Sequence, residues 1–259
     1  MSPLTYLRRS WSELLSAVQF LTRIPVPSQP YEADSLARSV KFFPAVGIVV
    51  GGGAALLHLA LAPHLPRLVS AFLVLLYLVF VTGCFHEDGL ADAADGFGGG
   101  NSREQVLLIL RDSRIGSYGG AALALSLIGR IVLIASLPLA QVPHYLIAAH
   151  VLCRWTTLPL SYLLASARSS DSQPADAQGA RIARLTSAGT LIGGTVFSFV
   201  VVAFLLKTHA TAPILSALML TGISGVYYKR RIGGVTGDCF GATNQLSEIG
   251  VYLCGAWTL

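Results

Sequence analysis

Residues 68–100 read LVSAFLVLLYLVFVTGCFHEDGLADAADGFGGG. The first part, Leu68–Phe85, carries no charged residue and is as long as the about 17–25 residues a helix needs to cross a bilayer. Immediately after it come Glu87, Asp88, Asp92 and Asp95. On a helix Asp88, Asp92 and Asp95 stand at i, i+4 and i+7, which is one face. The helix is expected to run on until the Gly98-Gly99-Gly100 triplet breaks it. An apolar span that delivers a row of carboxylates to the membrane boundary sets the reading of the whole chain.

The remaining sequence agrees with that reading. Of 259 residues, 53% are hydrophobic and 12% charged, with a mean hydropathy of +0.64. Soluble domains devote about 25% of their residues to charge, so a soluble globule of this length lacks the polar surface it needs. The expected fold is all-α, a polytopic integral membrane helix bundle of about 6–7 transmembrane helices. The spans are Phe42–Ala62, Leu68–Phe85, Gly116–Leu139, Val142–Ala165, Ser187–Leu206 and Ala212–Tyr228. A seventh, Phe240–Leu259, carries Asn244, Gln245 and Glu248, so it either spans with a polar face turned inward or inserts only in part. Residues 1–27 read as an interfacial amphipathic helix and loop, with Arg8, Arg9, Trp11, Leu14, Leu15, Val18 and Leu21 at helical spacing before Pro25 and Pro27. No linker and no internal repeat divides the chain, so residues 1–259 are expected to form one domain.

The basic residues set the orientation. With the N-terminus cytoplasmic, fourteen fall inside: Arg8, Arg9, Arg23, Arg38, Lys41, Arg103, Arg111, Arg114, Arg168, Arg181, Arg184, Lys229, Arg230 and Arg231. Only Arg67 and Lys207 fall outside, and Arg130 and Arg154 lie within spans. The net charge of +5 is thereby accounted for by topology, and no nucleic-acid partner is expected. The four cysteines show no CxxC pair or secreted-framework spacing and read as small buried hydrophobes.

Chemistry gathers on the cytoplasmic side. Like charges one helical turn apart repel, and a divalent cation relieves that repulsion. Oxygen-only ligands select magnesium or manganese, and His86 alone makes no zinc site. The residues between the acids are Leu90, Ala91, Ala93 and Ala94, where a solvated face would interleave lysine and arginine. Arg111, Asp112, Ser113 and Arg114 precede a Gly/Ser-rich turn, which suits a phosphate with its metal and equally an ordinary surface ion pair. Gly233, Gly234 and Gly237 lead into Asp238, a ligand or a helix cap. Arg130 and Arg154 cost about 2.5–3.5 kcal/mol each inside a span and must face a polar interior. Acids for a metal and arginines for phosphates are the parts of a phosphoryl transferase. No serine or cysteine nucleophile with a paired base is visible, so a substrate hydroxyl is the expected attacking group.

The strings FLTRIPVP (20–27), FPAVGIVVGG (43–52), FHEDGLADAADGF (85–97), RDSRIGSYG (111–119) and GGVTGDCFGA (233–242) closely resemble the cobalamin synthase, or adenosylcobinamide-GDP ribazoletransferase, family. The resemblance implies a multi-pass enzyme of the bacterial inner membrane, magnesium-dependent, with its active site facing the cytoplasm. It implies that α-ribazole, or its 5′-phosphate, is joined to adenosylcobinamide-GDP with release of GMP, late in cobalamin synthesis. Mg²⁺ is then expected on Asp88, Asp92, Asp95, Asp112 and Asp238. Arg111, Arg114 and Arg154 neutralise phosphate oxygens, and Asp95, with Asp92 beside it, accepts the hydroxyl proton. His86, Ser113, Gly237, Gln245 and Glu248 complete the substrate contacts. Glu87 stands where the family commonly has an uncharged residue and is left out of the ligand set. Membrane lipid, other cobalamin-biosynthesis enzymes and a second copy of the chain are the expected partners. Two rivals remain: a CDP-alcohol phosphotransferase, which would want an arginine in a DGxxAR arrangement, and a cation- or proton-coupled transporter, which would bury its acids mid-span.

Overall fold

A computed structural model of the chain describes residues 3–27, 35–112, 114–168, 182 and 186–257. The helices are α1 (Pro3–Leu21), α2 (Ser35–Ser39), α3 (Phe43–Leu61), α4 (Arg67–Thr82), α5 (Phe85–Gly99) and α6 (Arg103–Ile109). They continue as α7 (Ser117–Ser136), α8 (Val142–Trp155), α9 (Thr157–Leu163), α10 (Ala188–Leu206), α11 (Thr211–Ile232) and α12 (Gly237–Trp257). Among the described residues the only extended pairing is an isolated parallel bridge between Ser166 and Val235. The chain is an all-α, multi-pass membrane bundle. Four stretches, 35–61, 117–136, 188–209 and 211–232, are long and apolar enough to cross a membrane, and α4 with α5 makes a fifth if that bent pair counts as one. The other two expected spans are helical but differ in kind. Residues 142–165 break into α8 and α9, of 14 and 7 residues. α12 is 21 residues long and carries Asp238, Asn244, Gln245 and Glu248.

α8 is the central element. Its sequence is apolar around most of its circumference, and Tyr145, Leu146 and every residue from Ala148 to Trp155 are buried, as expected of a helix with no solvent-facing stripe. α3 reaches it through small residues. A Cβ on Gly47 would collide with the His150 carbonyl, and one on Gly51 would lie 2.7 Å from Ile147 Cα. Side-chain-free ridges of this kind let two helix backbones approach closely within a bilayer. On the outer faces Leu125, Phe204 and Ile223 stand exposed on α7, α10 and α11, the pattern of lipid-facing surface. α1 docks on the bundle through Ala17, Val18 and Leu21. Its buried Glu13 gathers Arg9, Arg38 and Lys41 at 3.2, 3.2 and 2.7 Å.

The acidic helix leaves the bundle axis at one place. α4 ends at Gly83 with φ +65°, and Cys84 follows with φ +60°. Two successive left-handed residues terminate the helix, the first without strain because it lacks a Cβ. α5 therefore departs at 88° to α4. Span two stops at Thr82 rather than Phe85, and α5 runs to Gly99, where the glycine triplet ends it. Arginines then lace the loops at this end. Arg103 donates from Nε to the Ile232 carbonyl (2.9 Å) and from Nη2 to that of Ala167 (2.7 Å). Arg231 Nη2 donates to Gly100 O at 2.7 Å. Each satisfies a carbonyl that a helix end or loop leaves without a partner.

The α3–α8 contact makes a sign prediction. Gly51→Ala should destabilise the protein by about 1–3 kcal/mol through overpacking. Gly52→Ala, where an added Cβ meets nothing within 4 Å, should be neutral or gain about 0.5–1 kcal/mol from higher helix propensity. Thermal unfolding in detergent measures both, and equal shifts at the two positions would remove the close approach as the cause.

Candidate active site at the acidic end of the bundle

α5 crosses α12 where two glycines meet: a Cβ on Gly89 would lie 3.1 Å from Gly241 Cα and 3.3 Å from Asp238 Cα. The crossing brings Asp88 and Asp238, far apart in sequence, to one side of the acidic helix. Asp95, two turns further along the same face, reaches α7. That helix has no side-chain cap of its own. Gly116 N–H donates to Asp95 Oδ2 (2.7 Å) and Gly119 N–H to Oδ1 (2.8 Å), so a carboxylate from α5 caps α7. The helix N-terminus favours negative charge there and needs acceptors for its free amides.

Asp92 lies between these groups and feels all of them. Burial pushes its carboxyl up first, and Asp88, Asp238 and Asp95 add repulsion; Arg168 works against them, and the result is about 7, from an ordinary 3.8. Arg168 is the cation nearest the cluster, with Nη2 at 3.5 Å from Asp238 Oδ2. It also donates to the Leu110 carbonyl at 3.4 Å, beside the bridge that joins Ser166 to Val235. Sequence reasoning counted Arg168 only as a topology determinant. Nothing local marks it, because the partner is seventy positions away.

The expected Arg111–Arg114 clamp takes a different form. Arg114 Nη2 holds Asp112 Oδ2 at 2.6 Å, and Nε and the backbone N–H donate to Oδ1 at 2.9 and 3.1 Å. These hydrogen bonds hold the Asp112 carboxyl down at about 2. Asp112 is thus committed to its neighbour, and Arg111 and Arg114 stand exposed. Ser113 lies outside the described residues.

Glu87, one residue before Asp88, points inward. Arg130 Nη2 donates to Glu87 Oε1 at 2.9 Å, while its Nη1 lies 3.4 Å from both oxygens of Glu248. Gln245 Nε2 reaches Glu87 Oε1 at 3.4 Å, and Ser126 donates to Gln245 at 3.2 Å. Arg154 Nη1 approaches His150 Nδ1 at 2.9 Å. Arg130, Arg154, Gln245 and Glu248 are each 1% exposed. Expected as substrate contacts, Arg154, Gln245 and Glu248 instead surround, with Arg130 and Glu87, a cavity of ≈10 Å³, room for about one water. Among the described residues, the one group of three potential ligands whose atoms all lie within 4.8 Å is His150, Cys153 and Glu248. Two guanidiniums, Arg130 on Glu248 and Arg154 on His150, already supply the positive charge a metal would bring. The aspartates do not close on such a trio.

Between the ion network and the aspartates opens a cavity of ≈330 Å³, lined by Phe20, Phe43, Phe85, His86, Asp88, Asp238 and Phe240 among others. Gly237 lies on its wall, and His86 borders both cavities.

The family model for cobalamin-5-phosphate synthase matches residues 13–256. Proteins named adenosylcobinamide-GDP ribazoletransferase are similar over nearly their full length. One from Polaromonas sp. is 39% identical, covering 98% of each chain. One from Vibrio cholerae is 37% identical over 95% of this chain and 94% of its own, and one from Sinorhizobium medicae 40% identical over 96% and 97%. The chain belongs to the cobalamin synthase family. No solved structure matches it significantly.

For this family member, Arg130 is the residue whose loss should cost most. Arg130→Met leaves Glu87 and Glu248 buried without their cation, which typically costs about 3–5 kcal/mol. A fall in folded yield and unfolding temperature in detergent is the expected result, with partial recovery on adding Glu87→Gln and Glu248→Gln. A single variant as stable as wild type would mean that the two carboxylates do not depend on Arg130.

Proposed function

We propose that this chain transfers the adenosylcobinamide phosphate of adenosylcobinamide-GDP to α-ribazole, or to its 5′-phosphate, releasing GMP. The observation that carries the reading is the convergence of three aspartates, Asp88, Asp95 and Asp238, on Asp92, with Arg168 as the adjoining cation, at one end of a membrane bundle. The names of the relatives support the two substrates. The fourteen basic residues that the sequence pattern assigns to the same side as the aspartates support an inner-membrane location with this end in the cytoplasm and the N-terminus inside.

The donor set fits Mg²⁺ in a particular way. Magnesium keeps several waters and binds through one or two carboxylates plus substrate phosphates. Asp88 and Asp238, both on the cavity wall, are the carboxylates proposed to hold it, although Asp238 Oδ2 also accepts from Thr236 and faces Arg168; Asp95 is occupied with amides through both oxygens and Asp112 with Arg114. When bound, Mg²⁺ supplies positive charge to the pyrophosphate and to the departing GMP. Arg168, beside Asp238, neutralises a further phosphate oxygen. The proton of the attacking ribazole hydroxyl goes to Asp92, not to Asp95. A carboxyl poised near 7 suits a general base at neutral pH, whereas both oxygens of Asp95 are held by α7. Asp95 fixes the acidic face, and Arg130, Arg154, Gln245 and Glu248 fix the helices behind it.

Asp92→Asn should lower GMP release by about 10²–10⁴-fold. Without metal it should leave the unfolding temperature unchanged or raised at neutral pH. The sign follows from the shift: a carboxyl raised from 3.8 to about 7 costs stability progressively as pH rises between those two values and carries the full cost above them, so the asparagine removes a liability already present at neutral pH. Wild-type turnover should climb as pH rises through about 7, where Asp92 loses its proton, and more Mg²⁺ should move that rise to lower pH. Full turnover in the asparagine variant would exclude Asp92 as the base. For orientation, Lys229→Cys should react with an impermeant maleimide only from the cytoplasmic side and Lys207→Cys only from the periplasmic side. The opposite pattern would invert the proposed topology.

A further inference from the structure

We propose that the ≈330 Å³ cavity beside Asp88 and Asp238 is the seat of the aromatic base of the ribazole nucleoside, and that the guanosine of the other substrate lies outside it. This rests on the ribazole-transfer reading and adds which half of the reacting pair the cavity takes.

The lining decides the chemistry. Phe20 stacks on Phe43 with ring centroids 5.9 Å apart and meets Phe85 edge-on at 5.1 Å. Phe85 in turn meets the His86 ring edge-on at 5.3 Å. Three helices, α1, α3 and α5, thus give one continuous aromatic wall, with Phe240 of α12 on the same cavity. Its volume falls at the lower end of the about 300–1,000 Å³ typical of small-molecule sites. Such a wall accepts a flat ring by stacking and apolar contact.

Hydrogen-bond supply separates the two candidate bases. Guanine carries an N–H, an amino group, a carbonyl and a free ring nitrogen along its edges. Burying each without a partner costs about 1–3 kcal/mol. Of the polar side chains on the wall, the Asp88 and Asp238 carboxylates are the acceptors that guanine's N–H groups would need, and the proposed reaction commits both to the cation; that leaves the Thr157 hydroxyl and the His86 ring, which is 5% exposed. A benzimidazole joined to ribose keeps one ring nitrogen, an acceptor, and the rest of its edge is apolar. One donor satisfies it, and either N–H tautomer of His86 is a donor. The acids complete the fit, because a base seated on the phenylalanines directs its ribose toward Asp88, Asp238 and the Asp92 behind them. In-line transfer sets the attacking and leaving oxygens on opposite sides of phosphorus. With the ribazole in the cavity, guanosine departs toward the open side, where Arg111 and Arg114 are exposed.

Two side chains test this without threatening the fold. Phe85 is 42% exposed, and a Cβ on Gly237 meets nothing within 4 Å, so a leucine there fills the cavity and not the core. Steady-state GMP release in detergent, with α-ribazole and adenosylcobinamide-GDP varied separately, gives a KM for each. Phe85→Ala and Gly237→Leu should each raise the KM for α-ribazole about ten-fold or more, in line with the loss of one stacked base. The KM for adenosylcobinamide-GDP should stay near wild type, and Phe85→Trp should restore the α-ribazole value. A rise confined to adenosylcobinamide-GDP would assign the cavity to guanine and overturn the proposal, as would no change in either KM. Wild-type protein that releases no GMP would defeat the ribazole-transfer reading itself. Equilibrium dialysis with α-ribazole alone then judges the cavity: binding lost in Gly237→Leu supports it, and no binding by wild type overturns it.

Discussion

Arg130 is the point on which the arrangement turns. A guanidinium at 1% exposure inside an apolar bundle is tolerable only with carboxylates around it, and Glu87 and Glu248 provide them. Those two residues come from α5 and α12, and Arg130 from α7. One buried cation thereby ties together the helix that bears the aspartate row, the helix that brings Asp238, and the helix that Asp95 caps. Each of the three can shift only by breaking a low-dielectric ion pair. The reacting groups inherit their spacing from that constraint.

The cost of this rigidity falls on the acid cluster. Asp92 sits where burial and three other carboxylates oppose its charge, and Arg168 offsets only part of that opposition. The fold holds this unfavourable cluster in place because the bend at Gly83–Cys84, the Gly89–Gly241 crossing and the Asp95 cap over-determine the path of α5. In the proposed reaction a cation and a phosphate would relieve this repulsion. The contrast with Glu13 is informative. That buried carboxylate receives three cations and serves only to dock α1.

The sequence made some of this legible and concealed the rest, for physical reasons. Helix positions followed from hydropathy because a bilayer demands long apolar runs. The period of the aspartates identified the acidic face because i, i+4, i+7 geometry is local. Where α4 would turn was not readable, since Gly83 announces a left-handed residue but not that Cys84 would follow it. Residues 142–165 looked like one span, yet α8 stops at Trp155 and α9 begins anew, a break at the carbonyl that Pro159, four residues on, leaves without its helical donor. The partners of Arg130, Arg168 and Asp95 were hidden because each lies on another helix at long sequence separation. Arg154, Gln245 and Glu248 had the polarity of substrate contacts, and only their enclosure distinguishes them from such contacts. The aromatic wall was likewise unmarked, because phenylalanines in a membrane protein read as lipid-facing or core until three helices bring them together.

Three consecutive residues at the start of α5 show how one turn of helix serves three environments. Successive side chains on a helix point about 100° apart, so His86, Glu87 and Asp88 are sent to different places. Glu87 enters the sealed ion layer, where two glutamates meet two arginines and the charge closes near zero. Asp88 faces the open layer, where among the described residues the aspartates outnumber Arg168, the arginine beside them. His86 stands between, bordering both cavities. A one-residue slip of α5 that set Asp88 opposite Arg130 would move Glu87 to the place of His86, which would preserve an ion pair but rotate the aspartate row off its face. The register is fixed against that slip by the Gly89–Gly241 contact, since any neighbour of Gly89 that carries a Cβ would hold α12 away. The balanced layer therefore does not merely support the unbalanced one. It determines which face of α5 is left with unbalanced negative charge, the face that the proposed reaction assigns to a cation and a phosphate.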